Sequence, residues 1–133
     1  MTQDTDESAV PAGAPGADGC PIGPAVEVLL SRWTTPILWT LHERGVQRFT
    51  DLQRLIGSIT AKVLTQRLRQ LERDGLVLRH YHPEVPPRVE YEITDLGRSL
   101  APLFADLTAW GRDHLPAVER ARDAFDAAAA SRR

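Results

Sequence analysis

Cysteine occurs once in these 133 residues, as Cys20. That excludes an intrachain disulfide framework and a cysteine-rich zinc site, and leaves open a disulfide to a second chain or to a small thiol. Histidine is sparse and scattered. Of His42, His80, His82 and His114, only His80 and His82 share a strand face, with no further ligand nearby in sequence, so neither a metal site nor a cofactor is expected. No run of about 18 apolar residues is available to cross a membrane. The opening MTQDTDESAV is acidic where a secretory leader is basic and then apolar, so a cytoplasmic protein with no membrane partner is expected. Phosphate-binding glycine loops, nucleophile elbows and HExxH motifs are absent, and Cys20 has no recognisable base beside it. No catalytic residue is assigned and no enzyme is expected.

An excess of positive charge is lacking too. A net charge of -2 and a pI near 6.1 argue against a protein that coats nucleic acid indiscriminately. The distribution says more than the sum. From Arg44 to His82 there are eight Arg and Lys against three Asp and Glu, whereas the first nineteen residues carry Asp4, Asp6, Glu7 and Asp18 with no base. Such sign asymmetry is expected where one region meets phosphate. The length suits one compact domain with tails. Residues 1–19, rich in Ala, Gly, Pro and Asp, are expected to be a disordered leader. Residues 20–115 form the domain, and 116–133 an Ala- and Arg-rich helical extension that either prolongs the preceding seam or frays.

Periodicity supplies the elements. Val26, Leu29, Leu30 and Trp33 make a short apolar stripe at helical spacing. Pro36 divides it from a second helix, capped by Thr34 or Thr35, that buries Ile37, Leu38 and Leu41 and ends at Gly45. A third starts at Phe49, with Leu52, Leu55 and Ile56 inward, and stops at Gly57. Ser58 caps a fourth that runs to about Asp74. At 100° per residue from Lys62, Leu64, Leu68 and Leu71 fall near 200°, 240° and 180°, while Thr65, Gln66, Arg69 and Arg73 lie within about 60° of Lys62. Leu76–Tyr81 and Arg88–Ile93 read as a β-hairpin whose tip, HPEVPP, is stiffened by proline. Thr94 caps a last helix in which Leu96, Leu100, Leu103, Leu107, Trp110 and His114 alternate by four and three, a seam for a partner helix, with Pro102 expected to kink it.

The predicted fold class is mainly α with a small β-hairpin wing. Two short helices across a tight turn, the second with a donor-rich outer face, followed by a hairpin, make a winged helix-turn-helix. Lys62, Gln66 and Arg69 are candidates for base edges in the major groove, and Thr65 and Arg73 for phosphate or base methyl groups. Ser58 and Thr60 at the helix start, with Arg48 and Arg54 beside it, are candidates for the flanking backbone. On the wing, Arg79, His80 and His82 on one side of the tip and Arg88 on the other suit phosphate or a minor groove, or else the arginines pair with Glu84 or Glu90. A winged helix can also serve as a protein-interaction module whose basic face binds an acidic partner. Trp33, Trp39, Trp110 and Phe104 are core or interface residues, or line a pocket for a small-molecule effector.

The chain resembles the HxlR family of bacterial winged-helix regulators, relatives of the MarR group, over roughly residues 20–115. The resemblance is carried by Arg32-Trp33, Arg48-Phe49, Leu64-Thr65 followed by Leu68-Arg69, Leu71-Glu72, Asp74-Gly75-Leu76 and, above all, Val85-Pro86-Pro87-Arg88-Val89-Glu90-Tyr91. It departs in Leu30-Ser31, where the family often has a glycine pair, and in Arg32, where lysine is usual. The resemblance implies a homodimer joined through N- and C-terminal helices, with Val26, Leu29, Leu30, Leu100, Leu103, Leu107, Trp110 and His114 at the interface. It also implies two reading helices on a pseudo-palindromic operator in double-stranded DNA, and a redox role for Cys20, which lies where several members carry a sensing thiol.

Overall fold

The structure, a computed structural model, describes residues 19–132, so all of the expected leader except Gly19 lies outside the described residues. The elements run α1 (Gly23–Leu29), α2 (Thr34–Arg44), β1 (Gln47–Arg48), α3 (Phe49–Ile56), α4 (Ala61–Arg73), β2 (Val77–His82), β3 (Arg88–Ile93), α5 (Asp95–Arg98) and α6 (Ala101–Ser131). The chain is mostly helical with one antiparallel sheet of order β1-β3-β2. Within the hairpin, Val77 faces Ile93 and His82 faces Arg88; at the other edge, Gln47 faces Tyr91.

The core forms where apolar faces of four helices and the sheet converge. Ile37, Leu38 and Leu41 from α2, Leu52 from α3, and Leu64, Leu68 and Leu71 from α4 are all essentially inaccessible to water. They meet Val77, Tyr91 and Ile93 from the sheet and Phe104 from α6. Each fully buried aliphatic side chain contributes about 1.5–3 kcal/mol relative to exposure. This is why α3 and α4, only 8 and 13 residues long, hold their geometry although isolated helices of that length are marginal. Gly57 ends α3 with φ +101°, a backbone that side chains rarely adopt, and so permits the tight turn between the two helices.

Several expectations are corrected. The cap of α4 is Thr60, whose backbone is extended and whose hydroxyl accepts from the Val63 N–H at 3.2 Å; Ile59 before it buries its side chain, and Ser58 stays in the exposed turn. Neither Thr34 nor Thr35 caps α2. Its N-cap is Trp33, Thr34 bonds Ser31 through their hydroxyls, and the Thr35 hydroxyl donates to the Leu29 carbonyl, joining α1 to α2. Leu55 is exposed, since a two-turn helix has room on its inner face for Leu52 and part of Ile56 only. Leu29 belongs to the core of its own chain, and Leu100 packs against that core, so neither is spare surface.

The expected single helix from Thr94 is two. Thr94 does cap α5, accepting from the Gly97 N–H at 3.0 Å while donating to the Gly75 carbonyl at 2.7 Å. The chain then tightens through three-residue turns, Ser99 to Leu96 and Leu100 to Gly97. Pro102 kinks nothing: it stands in the first turn of α6, where its missing N–H is one the helix leaves free anyway. α6 continues unbroken for 31 residues, through Pro116, to Ser131.

Candidate nucleic-acid interface

The outer face of α4 presents Lys62, Gln66, Arg69 and Arg73 to solvent, opposite the three buried leucines. Among the described residues, none of the three cations has an ion-pair partner. Their donors are therefore uncommitted. Thr65 differs: it is half-buried, and its hydroxyl donates to the Ala61 carbonyl at 2.8 Å, leaving its methyl group and acceptor lone pairs. Thr65 and Arg69 also line a hollow of about 390 Å³ shared with Glu72, Arg79 and Tyr91, between α4 and the sheet.

The wing is less basic than its sequence suggests. His82 Nε2 lies 2.9 Å from Glu90 Oε1, and His80 Nε2 lies 2.9 Å from Glu92 Oε1. Arg88 pairs with Glu84 at 2.9 Å and approaches Glu90 at 3.9 Å. Three of the four wing candidates, His80, His82 and Arg88, are thus engaged within the hairpin, because strand alternation puts Glu90 and Glu92 on the face that carries the histidines. Arg79 alone is free of carboxylates among the described residues; its guanidinium stands 5.7 Å from the Tyr81 ring.

Arg48 and Arg54 part company in the same way. Arg54 is exposed and pairs with Asp51 one turn away on α3 at 3.1 Å. Arg48 caps α3 from β1, opposite Glu90 in register, and lines a niche of about 240 Å³ with Phe49, Thr50, Pro87, Arg88 and Val89. Sequence reasoning missed β1, and with it Thr50 and the approach of Arg48 to the wing, because two residues have no periodicity to detect. The carboxylates that occupy the wing were available from strand alternation.

Cys20 is exposed and lies three residues before α1, its carbonyl accepting from the Gly23 N–H at 3.1 Å. Val26 and Leu30 are exposed on α1 and the linker after it, and Leu103, Leu107, Trp110 and His114 are exposed along α6, with the Trp110 and His114 rings 5.1 Å apart. Of the four aromatic residues considered for a pocket, Trp39 and Phe104 line a common groove of about 260 Å³ with Thr35, Pro36, Leu107 and Thr108. Trp33 instead packs on the core beneath Arg32.

Residues 28–119 match the model of the HxlR-like helix-turn-helix family. The chain is 42% identical over 107 residues to the HTH-type transcriptional regulator YtfH of Escherichia coli, covering 80% of this chain and 84% of that one. Among solved structures it is similar to the transcriptional regulator YtfH of Salmonella typhimurium, with TM-score 0.69 and 39% identity over 80% of this chain and 95% of that one. It is also similar to the redox regulator HypR in its reduced form, with TM-score 0.70 and 34% identity over 75% of this chain and 98% of that one. Two short core-packed helices across a glycine turn, a donor-covered outer face and a hairpin wing therefore have their explanation in kinship: the chain belongs to the HxlR family of helix-turn-helix transcriptional regulators, which are not enzymes.

Proposed function

We propose that the chain acts as a homodimer that binds a pseudo-palindromic site in double-stranded DNA. The observation that carries this reading is the division of α4 into a leucine face that is wholly buried and a face of Lys62, Gln66, Arg69 and Arg73 whose donors are unspent. A helix of that diameter fits the major groove, where Arg and Lys reach guanine and Gln pairs with adenine. Thr60, Ser58, Arg48 and Arg79 flank it and hold the backbone, whereas Arg54, His82 and Arg88 contribute less, since their partners would have to be displaced. The exposed apolar residues of α1 and α6 supply the dimer contact, setting the half-sites about one turn of DNA apart.

The test is fluorescence anisotropy of the reduced protein on the DNA upstream of its own gene, against a scrambled duplex, at about 0.15 M salt, where non-specific binding is weak. A preference of roughly a thousandfold or more is expected. Equal weak binding to both duplexes, and to every member of a random-sequence pool, would refute the reading and favour an acidic protein partner.

Control is proposed at Cys20, supported by its exposure beside α1 and by the likeness to a redox regulator. Peroxide oxidises the thiol to a sulfenic acid and is itself reduced to water; a second thiol then condenses to a disulfide with loss of another water. Peroxide is expected to change DNA affinity at least tenfold in the native chain and not in Cys20→Ser. An equal response in both would exclude the cysteine. A small effector in the Trp39 groove is a separate means of control, read by the same titration.

A further inference from the structure

Among the described residues, the end of α6 has nothing to pack against. Phe125 is 73% exposed, Ala121 and Ala128 are exposed, and residues 120–131 lie beyond the reach of the family match. Yet the apolar stripe does not stop where the family does. At about 100° per residue, Leu103, Leu107, Trp110, His114, Val118, Ala121 and Phe125 all fall within an arc of roughly 80° on α6, with Pro116 on the opposite side.

The spacing of that stripe is palindromic about His114. Counting from it, the residues stand at four, seven and eleven positions before (Trp110, Leu107, Leu103) and at four, seven and eleven after (Val118, Ala121, Phe125). A two-fold axis through His114 therefore sets every stripe residue of one helix level with a stripe residue of an antiparallel copy. We infer that α6 pairs with α6 of a second copy in this antiparallel register, the extension of each covering the domain-proximal half of the other. The inference rests on the homodimer reading above and specifies which surfaces meet.

Three observations favour a second copy as the occupant. Sizes alternate across the central levels: Leu107 meets Ala121 and Trp110 meets Val118, large against small, which is how facing layers interdigitate, and the outer level sets Leu103 against Phe125, two large side chains. The groove lined by Trp39, Phe104, Leu107 and Thr108 lies level with the incoming Ala121 and Phe125. Charges match as well. Asp106 and Arg120 project on the same flank of the stripe, and the register brings each within two residues, about 3 Å of rise, of its opposite in the second copy. Asp113, the other acid on that flank, is already paired with Arg112 at 3.4 Å. The contact is isologous and closes on itself.

The register is tested with cysteines introduced singly into full-length Cys20→Ser protein and a bis-maleimide whose reach matches the roughly 8–10 Å between packed helix axes. His114→Cys should give a covalent dimer. Leu107→Cys and Ala121→Cys should each fail alone, their two copies standing about 21 Å apart, but link when the two proteins are mixed. Phe125→Cys linking to itself as readily as His114→Cys would mean a parallel pair and overturn the register. Absence of links in every variant, with a dimer still seen by light scattering, would overturn the register and leave the homodimer standing on another face. A monomer at the same concentration would overturn both.

Discussion

At the scale of single residues, commitment to an existing partner separates the cations more sharply than their positions do. Arg69 is exposed and unspent beside Gln66, so Arg69→Ala should lose about 1–3 kcal/mol of binding and relax base preference at one position in each half-site, measured by competition among single-base operator variants. Uniform weakening on all variants would place Arg69 on phosphate instead. Arg88→Ala should leave the salt dependence of DNA binding nearly unchanged, because its charge is already met by Glu84 and Glu90. Arg48→Ala should reduce the slope by about one per half-site. Equal slopes for the two variants would contradict the division of the wing drawn from these ion pairs.

Elements show what the sequence made legible. Helices α2, α3 and α4, the hairpin and the exposed donor-rich face of α4 all follow from periodicity, because each element buries one face and the core enforces the pattern. The third strand did not follow: Gln47 and Arg48 join the sheet through backbone bonds to β3, which no side-chain pattern records. The break between α5 and α6 was hidden for a related reason. The turns at Ser99 and Leu100 keep the four-three spacing in phase, and Pro102 starts a helix as readily as it kinks one. What the sequence left silent is why α5 lies where it does. A Cβ on Gly97 would stand 2.5 Å from Ile93 Cγ1 and 2.6 Å from the Leu76 carbonyl oxygen, and backbone cannot retreat. Gly97→Ala should cost about 1–3 kcal/mol, seen as a drop of several degrees in Tm; an unchanged Tm would mean that α5 moves freely on the sheet.

For the molecule as a whole, neutrality matters. With a net charge of -2 the chain has little general attraction to DNA, so the proposed recognition would rest on the one basic face of α4. Since the proposed pairing would cover the stripe of α6 that is exposed among the described residues, Tm should rise with protein concentration across a hundredfold range. A flat response would mean that pairing adds nothing to stability. The reading face and the long helix are not independent bodies. The Thr94 hydroxyl holds the Gly75 carbonyl just past the end of α4 and the Gly97 N–H inside α5, while its own N–H donates to the Leu76 carbonyl at 3.0 Å. One threonine is thus the rivet of a bell crank. In a dimer built through α6, the distance between the two α4 helices would therefore be set at this joint, far from the tips of either helix.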